Sequence, residues 1–311
     1  MRKIPVILLG IYCSLFSTEL IAAVSMADYT CYPTFMAQSI KPNILIILDN
    51  SGGMNLQAYS EAFNPSIQYY GYFDPTSRYT YTNNRFERNT SGAWDGNFLN
   101  WLTMRRIDIA RKVLVGGKAE SRTGGGVQVT VGEDPTQTGS EYFKTYANSA
   151  SYSPYDSTYM FLMNDGMIYI YKWSGSDWVY QKISYTIKVK KDATSEPQDF
   201  GPDGNLAGVM QRISSKARFG LEFFNRGNGI EDGYDKKYDG GNIRSSIGSN
   251  MTSMITNIEN MSCDTWTPLA ESFYEGMRYF QQVAPYYSTG DYVVNQNNDP
   301  YYFSSQIGYV P

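Results

Sequence analysis

The chain has 311 residues, carries no histidine and contains 28 tyrosines. Net charge is −4 and the pI near 5.1, so there is no basic field for a phosphate backbone, which argues against nucleic-acid binding. Without histidine, Ser-His and Cys-His nucleophile systems and histidine-rich zinc sites cannot be built, and a non-enzymatic role is expected. The length allows one large domain or two modest ones. The tyrosines suit either a recognition surface or, the plainer reading, the strands of an irregular β-rich region.

The N-terminus reads as a secretory signal. Arg2 and Lys3 precede an apolar stretch over 4–16, and Ser25-Met26-Ala27 offers small residues for cleavage before Asp28, with Ala23-Val24-Ser25 as a second site. The apolar stretch is short for a membrane span and is soon followed by Glu19. Tyr12 before Cys13 argues against a lipid anchor. Residues 1–27 are therefore expected to be removed on secretion to the periplasm or the cell surface, and 28–42 form a lead-in. Cys31 and Cys263 then remain, paired with each other or each with a partner elsewhere.

Within residues 43–48, Ile44–Leu48 is an unbroken apolar run, the pattern of a strand buried on both faces of a parallel sheet. It ends at Asp49, where ligands sit in open α/β sheets, although Asp49-Asn50-Ser51-Gly52-Gly53 is also good turn chemistry. A Tyr-, Asn- and Ser-rich insertion is expected at about 55–96. A helix follows over 97–115, capped by Asp95 and stopped by Gly116-Gly117, with Leu99, Leu102, Ile109 and Val113 on one face and Arg105, Arg106 and Arg111 among the polar positions. A second insertion is expected at about 118–200. It opens on a Gly124-Gly125-Gly126 bend and contains a β-hairpin of Met167–Trp173 and 178–189 around Ser174-Gly175-Ser176-Asp177.

Helical spacing returns over 205–216, followed by a strand at Arg218–Phe224. Asp232, Asp235 and Asp239 occupy a Gly-rich loop whose spacing does not fit an EF-hand. Another helix turns Met251, Met254, Ile255 and Ile258 inward. The last begins at Thr267-Pro268 and lines up Leu269, Phe273, Met277 and Phe280 on one face. Thr267 reads as an N-cap or as a ligand.

Taken together, Asp49, Ser51 and Thr267 supply a carboxylate and two hydroxyls, an incomplete oxygen cage for a hard cation. This resembles the metal-ion-dependent adhesion site of von Willebrand factor type A domains. Asn100-Trp101-Leu102-Thr103-Met104-Arg105-Arg106, Asn205-Leu206-Ala207-Gly208-Val209-Met210, Phe219-Gly220-Leu221-Glu222-Phe223-Phe224-Asn225 and Trp266-Thr267-Pro268-Leu269-Ala270-Glu271 follow in order. The ordered set resembles the N-terminal region of PilY-type proteins, the tip-associated adhesins and assembly factors of bacterial type IV pili, most weakly through the two insertions.

The resemblance implies an α/β, Rossmann-like doubly wound type A domain over 43–311, incomplete at its C-terminus. It implies Mg²⁺ or Ca²⁺ held weakly by Asp49, Ser51 and Thr267. It also implies a part in pilus assembly, adhesion or mechanosensing, with minor pilins of the pilus tip and a host or abiotic surface as partners. Gly53 stands where the pattern wants a second serine. The final aspartate and a β-propeller are expected beyond residue 311, so a downstream polypeptide is expected to complete the sheet. A generic extracellular type A module and a truncated remnant are the alternatives.

Overall fold

The computed structural model describes residues 41–123, 125–135, 139–147, 149–225, 240–287, 299 and 301. The signal segment, nearly all of the lead-in, Cys31, Gly124 and the Asp232, Asp235 and Asp239 loop lie outside them. Twelve strands run in order: β1 (Asn43–Leu48), β2 (Arg78–Thr82), β3 (Arg85–Arg88), β4 (Trp94–Asp95), β5 (Val127–Val131), β6 (Tyr142–Ala147), β7 (Thr158–Asn164), β8 (Met167–Trp173), β9 (Trp178–Thr186), β10 (Lys188–Asp192), β11 (Arg218–Phe224) and β12 (Gly241–Ser245). The α-helices are α1 (Gly96–Thr103), α2 (Arg106–Val115), α3 (Val209–Ile213), α4 (Met251–Glu259) and α5 (Leu269–Phe280). They build three sheets, ordered β1-β11-β12, β4-β2-β3-β10-β5 and β6-β7-β8-β9.

In the first sheet β1 lies parallel to β11, from Asn43 opposite Arg218 to Leu48 opposite Phe223. β12 pairs antiparallel on the far side of β11, so the parallel pairing expected for β1 sits in a mixed sheet. Strand alternation sends Leu48, Phe219, Leu221 and Phe223 to one face, where they pack with Ile107 and Val115 of α2 and Met254 and Ile258 of α4. The inward set expected for α4 is thereby found. α5 covers the other face, so helices lie on both sides of the sheet. β1 is nonetheless the edge strand of this sheet and only half-buried apart from Leu48, less enclosed than its composition suggested.

The orientation of α5 is inverted relative to its composition. Ser272, Glu275, Gly276 and Tyr279 face the sheet, while Leu269, Phe273, Met277 and Phe280 are exposed. Gly276 lets the helix approach Leu45, Ile47 and the Glu222 carboxylate. Glu222 is fully buried, and neither carboxylate oxygen has a hydrogen-bond partner among the described residues. Burial, reinforced by Glu275, pushes its carboxyl up to about 9, so it is a neutral acid at pH 7. Gly241 packs so closely that a Cβ there would collide with Glu222 Oε1. Glu275 Oε1 accepts the Tyr286 and Tyr287 N–H groups at 2.7 and 2.9 Å.

The two stretches expected as insertions meet in one body. β2, β3 and β4 come from the first stretch, β5 and β10 from the second, and β3 pairs with β10. A shared aromatic core includes Tyr72, Phe73, Phe86, Phe98 and Phe161, each 1% exposed or less. α1 fastens the tyrosine-rich segment onto this core. Asn97 accepts the Tyr69 N–H (2.7 Å) and Asn100 accepts the Phe73 N–H (3.0 Å) while donating to the Tyr69 and Phe73 carbonyls. Tyrosine here is therefore largely core material.

Local expectations hold in part. Asp95 caps α1 through the Phe98 N–H, and Gly116, at φ +87°, ends α2. The single helix over 97–115 is broken, because Met104 is extended and the Arg105 N–H turns to Asp108 Oδ2. Arg105 and Arg111 are buried rather than solvated. The hairpin forms, with the Ser174 N–H donating to Asp177 O, but its second arm splits at buried Ile187 and β10 leaves for another sheet. The helix expected over 205–216 shrinks to α3, since residues 205–208 remain outside it.

Candidate functional site

The loop leaving β1 lies at the carboxyl end of that strand, as its sequence predicts. Asp49 Oδ1 accepts the Ser51 N–H at 2.7 Å, folding the carboxylate back over its own turn. Asn50 is buried and clamps the loop to the end of β11: its amide donates to Phe224 O (3.2 Å) and its oxygen accepts the Phe224 N–H (2.8 Å). Ser51, also buried, forms a parallel bridge with Thr265. The Gly52 N–H donates to Thr265 O (3.1 Å), and the Thr265 N–H donates to Asn50 O (3.2 Å). Asn55 adds a bond to Cys263 O at 2.7 Å. The strand end and the segment leading into α5 are thus stitched together.

Asp49 and Ser51 therefore share one turn, and Thr267 follows two residues after the bridge. Thr267 is exposed, and its carbonyl accepts the Leu269 N–H at 2.9 Å. Pro268 occupies the N-cap position of α5 and no side chain caps that helix, so the capping role considered for Thr267 is not used. Among the described residues no group of three or more His, Cys, Asp or Glu side chains is placed to hold a metal ion.

The segment 261–265 is held from beneath by a buried network. Arg111 donates to the carbonyls of Ile258 (3.0 Å) and Met261 (2.9 Å) and pairs with Glu133. Glu133 N–H and Arg105 N–H both donate to Asp108, whose carboxyl burial pushes up to about 6. Beside it opens a polar cleft of about 210 Å³ lined by Asn55, Lys118, Glu133, Asp134, Cys263 and Asp264 among others. Burial pushes the Cys263 thiol up to about 12, so it is protonated at neutral pH. Sequence reasoning missed Asn50, Asn55 and Arg111. For Arg111 the three-residue spacing Arg105, Asp108, Arg111 is a usable sign, since alternating charge on one helix face permits internal pairing.

Residues 60–184, which embrace most of the aromatic body, match the family described as PilY1 homolog, small alpha/beta domain. The similarity thus lies across the two stretches where the sequence resemblance is weakest. Two curated proteins of Xylella fastidiosa strain Temecula1, each named type IV pilus biogenesis factor PilY1 homolog, are similar to shorter parts of the chain. One is 39% identical over 67 residues, 18% of this chain and 5% of the relative; the other is 31% identical over 77 residues, 19% and 6%. The chain therefore spans only a small part of their length. No solved structure matches it.

Proposed function

We propose that this chain is a secreted, non-enzymatic component associated with type IV pili, acting in pilus assembly, surface adhesion or mechanosensing. The match of residues 60–184 to the PilY1-homolog domain carries the reading. The names of the two relatives agree with it. Among the described residues no helix is long and apolar enough to cross a membrane. Minor pilins at the tip and a host or abiotic surface are the expected partners. Deleting the gene tests the proposal: piliation and attachment should fall, and unchanged values of both would refute it.

Within that reading, the β1-β11-β12 layer is the portion of a von Willebrand type A-like domain that these residues supply. The bridge between Ser51 and Thr265 supports a cation site at Asp49, Ser51 and Thr267, because it draws the second motif to the first. The donor chemistry suits Mg²⁺ or Ca²⁺, but one carboxylate and two hydroxyls fall short of the six or more oxygens such ions take. Water and an acidic group from a partner would complete the shell, so affinity in the isolated chain is weak. Added Mg²⁺ should leave the melting temperature unchanged, whereas a stabilisation abolished by Asp49→Ala would show a site stronger than proposed.

A further inference from the structure

We infer that the outer face of the β6-β7-β8-β9 sheet is a binding surface for a neutral polysaccharide. The strands alternate cleanly. Inward positions such as Phe161, Met163, Ile168 and Ile170 are fully buried in the aromatic core. The opposite positions carry a second apolar set facing solvent: Phe143 on β6, Tyr169, Tyr171 and Trp173 on β8, and Trp178 and Tyr180 on β9. Phe143 is 63% exposed, and Trp173 and Tyr180 are each 40% exposed. An aromatic face of this extent left open on a folded sheet marks a contact surface.

The rings form two cross-strand groups along β8 and β9. Tyr171 and Tyr180 have centroids 5.2 Å apart, Tyr169 and Tyr180 6.1 Å, and Trp173 and Trp178 5.2 Å. Along β8 successive outward side chains recur every ~7 Å, the two-residue repeat of a strand. The result is an extended track of aromatic rings, edged by the hydroxyls of the tyrosines, Thr145 and Ser184.

Charge selects the occupant. No Lys, Arg, Asp or Glu stands at the outward positions of β6, β7 and β8, where Thr, Ala, Met, Leu and Asn fill the places between the rings. Nucleic acids, anionic lipids and acidic peptides therefore meet at most one counter-charge here, Lys182 in the bulge of β9. Protein interfaces enrich arginine alongside Tyr and Trp, and this face has none at those positions. A pyranose ring is the complementary shape. Its C–H face carries weak positive charge that packs on the electron-rich face of an aromatic ring, and its equatorial hydroxyls reach outward to the surrounding Tyr and Thr oxygens. A linear chain of such rings repeats the contact along β8. The inference uses only this sheet and is independent of the pilus reading.

Co-sedimentation of the full chain with microcrystalline cellulose and with chitin, and its retardation in gels containing a soluble neutral β-glucan, test the inference. Binding to at least one is expected, with Tyr171→Ala/Trp178→Ala weakening it at least tenfold while far-UV circular dichroism stays unchanged. Lys172→Ala, on the opposite side of β8, should bind as the parent does. Absence of binding to all three, or binding that the double substitution leaves intact, overturns the proposal. So does a double variant that instead abolishes self-association in sedimentation velocity, or adsorption to phosphatidylcholine vesicles, because the face then belongs to a second copy or a lipid surface.

Discussion

The aromatic body and the β1-β11-β12 layer place polar and apolar groups in opposite ways. In the body, Tyr72, Phe86, Phe98 and Phe161 are buried and buried asparagines such as Asn100 have their hydrogen bonds made. In the layer, α5 turns Leu269, Phe273, Met277 and Phe280 outward and holds Ser272, Glu275 and a Glu222 unpaired among the described residues inside. The first arrangement draws stability from packing. The second packs an apolar core on one face only; its α5 side rests on close backbone approach at Gly241 and Gly276 and carries the cost of a carboxylic acid kept neutral.

Substitutions should separate the two. Phe98 makes edge and tilted contacts with Phe63 and Trp101 at 5.1 and 5.4 Å, so Phe98→Ala should cost ~3–5 kcal/mol in urea unfolding. A loss below ~1 kcal/mol would mean that the body is not the stable core.

Glu222→Gln should act in the opposite direction, and with pH. The folded state keeps a proton up to about 9 that the unfolded chain releases near 4.5, so parental stability falls as pH rises through that window. The glutamine variant loses this slope and should be the more stable by on the order of 2–4 kcal/mol at pH 8, with the two chains converging near pH 4. Parallel slopes for both would show that Glu222 is not the titrating group.

Asn50→Ala should cost ~1–3 kcal/mol, because it strands the Phe224 N–H and carbonyl at the end of β11. Amide exchange at Phe224 should rise with it, and unchanged exchange would show that the clamp is dispensable. Phe273→Ala, on the exposed side of α5, should fall within ~0.5 kcal/mol of the parent. A larger loss in the isolated chain would mean that the outward stripe is already packed.

What was legible in the sequence follows from which patterns carry direction. An apolar run ending in Asp49, a hairpin flanking Ser174 to Asp177, and a glycine after Val115 each admit few backbone solutions, and each is found. The amphipathic pattern of α5 defines a stripe but not which side meets the sheet. The helix break at Arg105 has no proline or glycine to announce it and comes from Asp108 capturing a backbone N–H. The tyrosine-rich stretch resembled a surface insertion because tyrosine is as much at home in a wet loop as in a core. For the candidate site, Asp49 and Ser51 are legible from their place after β1, whereas Asn50 and Arg111 act through bonds to residues more than a hundred positions away.

The parallel register of β1 and β11 has a mechanical consequence. Tension drawn along the two strands in opposite directions loads their hydrogen bonds side by side, so several must fail together, and the Asn50 bonds to Phe224 share that tension. A hairpin such as β8–β9 pulled apart from its open ends yields instead one pair at a time. Under traction the chain would give way first in its aromatic sheet and last at the junction beside Asp49.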